Sequence, residues 1–165
     1  MKILILGGYG VFGGRLIELL ADIDALEIFV CGRSADKAKT YCDAYTGKSK
    51  LIPLAIDRAD IAGALSAYGP EIVIDASGPF QDYGADPYMV VKACIAAGVH
   101  YLDLADAADF VFGISQFDDA AKAAGIFVLS GVSSFPVLTA AGDTASSALN
   151  SRALPPCGVP IPRLV

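Results

Sequence analysis

The segment that most constrains the fold is a glycine-rich turn that joins an apolar stretch to an amphipathic one. Gly8, Gly10 and Gly13 stand in the spacing G-x-G-x-x-G, directly after the apolar run Ile3–Leu6. The residues between these glycines are Tyr9, Val11 and Phe12. A strand, a glycine loop and a helix in this order are typical of a dinucleotide-binding turn. The alternative is a glycine-rich turn between a strand and a helix that binds nothing.

Each glycine has a physical role in the first interpretation. Gly8 allows the tight turn out of the strand, Gly10 lets the backbone approach a pyrophosphate, and Gly13 lets the helix lie close to the sheet. The start of the helix then offers unpaired N–H groups and the positive end of its dipole to the phosphates.

Apolar strand-like runs alternate with helix-like segments up to about residue 131, which predicts βαβ units in a parallel sheet. The predicted strands are Lys2–Leu6, Glu27–Cys31, Leu51–Ile56, Ile72–Asp75, Tyr101–Leu104 and Ile126–Leu129. The predicted helices are Val11–Ala21, Asp36–Tyr45, Ile61–Tyr68, Pro87–Ala97 and Gln116–Ala124. We therefore expect an α/β fold of the Rossmann type, a doubly wound sheet of order 3-2-1-4-5-6 in three α/β/α layers.

Local signals predict several helix ends. Asp86-Pro87 has the pattern of an N-cap followed by proline, and Ser115 with Asp118 has that of a capping box. Gly98 and Gly125 are predicted to end the two helices before them.

The alternating pattern stops near Asp143, and four prolines follow before Val165. We expect a dinucleotide-binding domain over residues 1–142 and an irregular tail over 143–165. We expect the substrate-binding domain that a full oxidoreductase would carry next to be missing.

Composition narrows the function classes. The chain has 165 residues, of which 55% are hydrophobic, and a parallel sheet covered on both faces accounts for that fraction. No run reaches the ~18 apolar residues of a membrane span, and the N-terminal apolar run is too short for a signal peptide. A cytoplasmic location is therefore expected by default. The net charge of −6 argues against nucleic acid and anionic membranes as partners. Four dispersed cysteines and one histidine argue against a zinc site, and Cys31 and Cys94 are expected to be buried thiols.

The end of the second predicted strand bears on cofactor choice. NAD enzymes place Asp or Glu there, about 20 residues after the glycines, to bind the ribose 2′-hydroxyl. This chain has Gly32-Arg33-Ser34 instead. A guanidinium can hold a 2′-phosphate through paired hydrogen bonds, and Ser34 can add a hydroxyl donor, so NADP is predicted over NAD. The alternative is that Arg33 is a solvated turn residue.

Two further loops follow predicted strands at the carboxyl edge, where ligands bind in such sheets. Asp57 either bonds the adenine amino group or caps the next helix. Ser77-Gly78-Pro79-Phe80 offers small residues for close approach to the dinucleotide and an apolar wall beside the nicotinamide. The alternative for this second loop is a rigid turn only.

Asp103 and Asp106 are the acids best placed to meet a cationic substrate or to relay a proton. For each, a structural role is the stronger alternative: Asp103 bonding backbone and Asp106 capping a helix. Ser130–Ser134 could line the nicotinamide or act as a hinge. His100 is expected to be a surface or hydrogen-bonded histidine without a catalytic role.

Together these motifs resemble the NADP-binding domain of the saccharopine dehydrogenase-like family. The resemblance rests on Gly7–Gly13, Gly32-Arg33, Asp75–Phe80 and Gly98–Leu104, and it extends through Ser130-Gly131 to about Ala141. It implies NAD(P)-linked hydride transfer to or from a small amino-acid-derived imine or amine. It also implies a separate α/β domain for substrate and, in a full-length relative, homodimer contacts.

Two other function classes fit parts of the sequence. One is a non-catalytic module that senses NADP or interacts with a partner. The other is a short-chain reductase, whose Tyr-x-x-x-Lys pair occurs here at Tyr88 and Lys92. That pair follows the fourth predicted strand, where the catalytic helix of those enzymes is not expected.

Overall fold

The computed structural model describes residues 1–132, and within them six strands form one fully parallel sheet. The strands are β1 (Lys2–Leu6), β2 (Glu27–Gly32), β3 (Lys50–Ala55), β4 (Ile72–Asp75), β5 (His100–Asp103) and β6 (Val128–Leu129). Their order is β3-β2-β1-β4-β5-β6, which confirms the predicted doubly wound topology. All of their pairings are parallel.

Helices cover both faces of the sheet. They are α1 (Val11–Leu19), α2 (Ala35–Ala44), α3 (Ile61–Tyr68), α4 (Met89–Ala97), α5 (Ala108–Gly113) and α6 (Asp118–Ala124). Side chains alternate along each strand. In β1, Ile3 and Ile5 pack with Ile17 of α1, whereas Leu4 and Leu6 belong to the core cluster that includes residues of α3, α4 and α6. The three predicted layers follow from this alternation.

Two predicted helix starts are wrong. The helix α4 begins at Met89 rather than Pro87, because Asp86 forms a preceding turn and its carboxylate binds Lys92 Nζ at 2.8 Å instead of capping. The helix α6 begins at Asp118, because Ser115 lies inside a 3₁₀ turn and its hydroxyl donates to Phe112 O.

The predicted glycine ends are confirmed, since Gly98 and Gly125 follow α4 and α6 in the left-handed conformation, with φ of +67° and +68°. The short helix α5 was not predicted.

The predicted tail, residues 143–165, lies outside the described residues, so the boundary at residue 142 stays a prediction. Ser133 and Ser134 of the predicted sixth loop also lie outside them. Among the helices that are described, none is long and apolar enough to cross a membrane.

Candidate cofactor site

The glycine turn brings β1, β4 and α1 into close backbone contact. Gly7 has a φ of +72°, and a Cβ there would lie 2.7 Å from Ala76 O. A Cβ on Gly13 would overlap the carbonyl oxygen of Gly7. The turn is closed by Gly10 N–H, which donates to Gly7 O at 2.8 Å. The left-handed residue is therefore Gly7 rather than Gly8, which lies against β2 and donates to Cys31 O at 3.0 Å.

The first turn of α1 is open to a ligand. Gly10 is the N-cap of this helix, and it has no side chain that could cap the first N–H groups. The first hydrogen bond of the helix runs from Gly14 N to Gly10 O at 2.8 Å. The N–H groups of a helix's first turn have no partner within the helix, so they are free to bind an anion. Val11 and Phe12 are 86% and 70% exposed beside them.

The end of β2 is built around Tyr9. Its ring lies on Gly32, where a Cβ would come within 2.5 Å of it, and its hydroxyl accepts a hydrogen bond from Ser34 N at 3.0 Å. Ser34 Oγ accepts from Lys37 N at 3.3 Å and so caps α2. The Ser34 hydroxyl keeps its own hydrogen to donate. Arg33 is exposed and lines a cleft at the carboxyl edge of the sheet, which the glycine turn also lines.

Two adjoining cavities run along the carboxyl edge of the sheet. One, of about 610 Å³, contacts the glycine turn, Arg33 and Asp57. The other, of about 830 Å³, is lined by Val11, Phe12, Leu104 and Val132, among others. The loop Ala76–Pro79 borders both cavities. The residues singled out from the sequence after β1, β2, β3 and β4 therefore meet at one edge.

Two of these residues also have structural contacts. Asp57 Oδ1 accepts from Ala59 N at 3.0 Å and caps a 3₁₀ turn, which matches its capping alternative, although the residue is exposed to the cleft. Phe80 is 6% exposed and packs on Phe110, with ring centroids 5.1 Å apart. Pro79 is the more exposed part of the predicted apolar wall.

A buried polar cluster lies beside the cleft, and sequence reasoning did not find it. Asp75 is fully buried and accepts from Ser77 N at 3.0 Å and from Ser77 Oγ at 2.5 Å. Tyr83 Oη lies 3.1 Å from Ser77 Oγ and 3.4 Å from the carboxylate. Arg58 Nε is 3.3 Å from Asp75 Oδ2. Burial, and then the charge of Asp75, raises the pKa of Tyr83 well above its usual range.

The two candidate catalytic acids lie in different environments. Asp103 is fully buried, and its Oδ1 accepts from Ala105 N, Ser130 Oγ and Gly131 N at 2.8–3.0 Å. Burial raises its pKa, while these hydrogen bonds act in the opposite direction. Asp106 is exposed, borders the larger cavity and accepts from Gln81 Nε2 at 3.3 Å. The contacts of Asp103 favour its structural alternative, and Asp106 is the acid that faces the cleft.

Other singled-out side chains are occupied elsewhere. His100 Nδ1 accepts from Phe127 N at 3.2 Å, and its ring stacks on that of Phe127 at 4.1 Å. Tyr88 Oη donates to Phe110 O at 3.0 Å, while Lys92 binds Asp86, so the two do not act as a pair.

The predicted buried thiols are confirmed. Cys31 and Cys94 are both fully buried, and burial raises the pKa of each to about 12. Across residues 1–132, no three His, Cys, Asp or Glu side chains are grouped to hold a metal ion.

Residues 3–129 match the family described as the saccharopine dehydrogenase NADP binding domain. The chain is 29% identical over 150 residues to carboxyaminopropylagmatine dehydrogenase from Synechocystis sp., covering 84% of this chain and 35% of that protein.

Solved structures share the fold. Saccharopine dehydrogenase (L-Glu forming) from Saccharomyces cerevisiae superposes with a TM-score of 0.60 at 21% identity, covering 79% of this chain and 27% of that one. A 3-hydroxyacyl-CoA dehydrogenase type-2 from Mycobacterium avium has a TM-score of 0.59 at 16% identity, covering 78% and 72%. The chain spans about a third or less of the length of the first two relatives it matches.

Proposed function

The chain belongs to the family of saccharopine dehydrogenase NADP-binding domains, and we propose that it binds NADP(H) as the cofactor domain of an oxidoreductase. The observation that carries the proposal is the cleft that contacts both the open start of α1 and Arg33. The glycine turn supplies N–H groups for the pyrophosphate, because no side chain of the described residues caps that helix. A nicotinamide dinucleotide extended along the carboxyl edge would span both cavities.

The preference for NADP rests on the end of β2. The turn there has an arginine and a serine, and the nearest acid, Asp36, is in the first turn of α2. A carboxylate in this position would bond the 2′-hydroxyl of NAD and repel a 2′-phosphate. The exposed Arg33 guanidinium, together with the Ser34 hydroxyl, can donate to that phosphate instead.

The larger cavity suits the nicotinamide end. Its lining includes Val11, Pro79, Leu104 and Val132, which would hold an apolar ring and keep water away from one of its faces. The cofactor supplies or accepts the hydride at nicotinamide C4. The chain's own part is to orient the ring, and Asp106 at the border of this cavity is the described acid able to hold or relay a proton there.

The substrate class is proposed from the family. Two relatives are named for saccharopine and for carboxyaminopropylagmatine. We propose that hydride passes between the nicotinamide and a carbon of a small amino-acid-derived imine or amine. Asp106 also suits a substrate that carries a positive charge, because it presents a carboxylate at the cleft.

Titration of the 165-residue chain with NADPH and NADH, followed by the fluorescence of the reduced nicotinamide, tests the cofactor assignment. NADPH is expected to bind at least about tenfold more tightly, since a charge-assisted contact contributes ~1.5–3 kcal/mol. Arg33→Asp should remove this preference by weakening NADPH far more than NADH. Equal affinities in the unmodified chain would contradict the role of Arg33.

Lys50→Asp is the matched control, because it makes the same charge reversal at the amino end of β3, at the opposite edge of the sheet from the cleft. It should leave the ratio of the two affinities unchanged. Oxidation of NADPH with a panel of imines and keto acids tests the reaction class. Tight binding with no turnover across the panel would favour the sensing or interaction module.

A further inference from the structure

We propose that Arg58 is a cofactor-binding determinant that acts by neutralising the buried carboxylate of Asp75, so that it controls the affinity for NADPH and NADH alike. The inference rests on the function proposed above. It assigns to Arg58 a role different from that of Arg33, which would control the ratio of the two affinities. Arg58 lies one position after Asp57, whose two predicted roles were an adenine contact and a helix cap.

The position of Asp75 creates the need for a positive partner. Asp75 is the last residue of β4 and pairs in register with Leu6, the residue that precedes the glycine turn. It is fully buried, and Ala76, the next residue, contacts Gly7. A charge inside a protein is screened far less than one in water, so it acts strongly on nearby groups. An unpaired carboxylate at this point would repel the pyrophosphate of either dinucleotide.

Arg58 is placed to cancel that charge. Its Nε lies 3.3 Å from Asp75 Oδ2, although the two are not aligned for a hydrogen bond, so the attraction is mainly that of the opposite charges. Its side chain is 18% exposed, and among the ion pairs of residues 1–132 this is the one with both partners largely buried.

Two more contacts hold the guanidinium in place. Its Cζ lies 3.2 Å from the centroid of the Tyr83 ring, and Nη2 donates to Pro87 O at 3.4 Å. A cation over an aromatic face is attracted by the ring's negative face. Arg58 thus links the turn after β3 to the loop after β4, and both segments line the cavity that contacts Arg33.

The effect of Arg58 should not depend on the 2′-phosphate. Its charge is directed at Asp75, and the repulsion that it removes acts on the pyrophosphate, which both cofactors share. Loss of Arg58 should therefore weaken both cofactors by a similar factor. Neutralising Asp75 should make Arg58 dispensable.

The test is a double-mutant cycle on the 165-residue chain, with NADPH and NADH titrated separately. Arg58→Met removes the charge and keeps an apolar stem of similar length, and it should raise both dissociation constants by about tenfold or more, because it leaves an uncompensated buried charge. Arg58→Met combined with Asp75→Asn should return both constants to within about threefold of the unmodified chain, as coupled residues do not act additively.

Single variants keep the proposal testable if Arg58→Met does not fold, which circular dichroism would reveal. Arg58→Lys keeps the charge and should keep most of the affinity. Asp75→Asn alone should bind both cofactors at least as tightly as the unmodified chain. Lys122→Met is the matched control, since it removes a lysine paired with Asp118 on α6, and it should change neither constant.

Three results would overturn the inference while leaving the proposed cofactor function in place. These are unchanged binding in Arg58→Met, a loss confined to NADPH, and a double variant that binds as weakly as Arg58→Met. Failure of the unmodified chain to bind either dinucleotide would overturn both proposals together.

Discussion

At the scale of single residues, the candidate site depends on positions where a side chain is absent as much as on those where one is present. Gly7 and Gly13 allow the turn, β4 and α1 to touch through their backbones. Gly32 leaves room for the Tyr9 ring, whose hydroxyl binds the backbone beside Arg33. A Cβ at any of the three would displace neighbouring atoms, and at Gly7 and Gly13 these are backbone atoms that cannot rotate away.

Gly13→Ala tests this dependence. The added methyl group would overlap Gly7 O and lie 2.8 Å from Gly8 Cα, so we expect a loss of about 1–3 kcal/mol in the free energy of unfolding. NADPH binding should fall as well, because the turn must open. Urea unfolding measures the first effect and fluorescence titration the second.

Gly63→Ala is the matched control for that substitution. Gly63 lies within α3, and nothing is within 4 Å of the Cβ it would gain. Alanine there should stabilise the chain by up to about 1 kcal/mol through helix propensity. Equal effects of the two substitutions would contradict the tight packing of the turn.

At the scale of elements, Asp103 connects β5 to β6, the last strand at one edge of the sheet. Its Oδ1 holds the Ser130-Gly131 turn that follows β6, and its backbone oxygen accepts from Val132 N at 2.9 Å. The strand β6 is two residues long and pairs with β5 at two positions only. The carboxylate therefore adds two hydrogen bonds to the few that hold β6 and its following turn to β5.

Removing these acceptors should loosen that edge. Asp103→Ala leaves three donors without their partner, and each buried unsatisfied group costs about 1–3 kcal/mol. Asp103→Asn keeps one oxygen and should be milder. Hydrogen exchange of the β5 and β6 amides should accelerate in the alanine variant more than in the asparagine variant.

Asp103 also predicts a pH dependence. Burial raises its pKa in the folded state above that of the unfolded chain, so folding favours the protonated form. Its contribution to stability is then complete below the unfolded pKa, about 3.9, and declines as pH rises through the folded value. The unfolding free energy of Asp103→Asn, minus that of the unmodified chain, should increase as pH is raised above about 4. Urea unfolding measures both free energies. If the difference between the two chains stayed constant between pH 4 and 7, burial would not raise the pKa of Asp103.

At the scale of the whole molecule, the cleft exists because the order of the strands reverses at β1. The chain proceeds from β1 through β2 to β3 on one side and from β4 through β5 to β6 on the other. The loops after β1 and β4 therefore separate at the carboxyl edge, and a crevice opens between them. Every candidate cofactor residue, from the glycine turn to Phe80, lies in a segment that begins at this edge, directly after a strand.

A ligand that binds this crevice should stabilise the whole domain. At a concentration about 100 times its dissociation constant, NADPH should add ~2.7 kcal/mol to the free energy of unfolding. Thermal unfolding over a series of NADPH concentrations measures the shift. A midpoint that does not move, at concentrations where fluorescence reports binding, would place that binding outside the folded crevice.

Much of this architecture could be predicted because its signals are local. The strand positions, helix α3 and the glycine ends of α4 and α6 follow from short-range patterns of apolar residues and glycine. The strand order follows from the alternation of strands and helices together with the handedness of βαβ units. Helix α5 could not be predicted, because it is short and Phe110 buries itself against Phe80 and Tyr88, which are distant in sequence. The same limit hid the cluster of Arg58, Asp75 and Tyr83.

The sequence alone was sufficient to predict the sheet, its parallel topology and the glycine turn, because the periodicity of apolar residues and the backbone freedom of glycine act over a few residues. It was also sufficient to show that β2 is followed by an arginine and not by an acid. Only the folded structure established that Asp75 is buried against Arg58, that Asp103 accepts hydrogen bonds from three donors, and that Asp106 faces the cleft. These properties depend on which strand ends meet in space, and the energy of a buried charge depends on neighbours contributed by other loops.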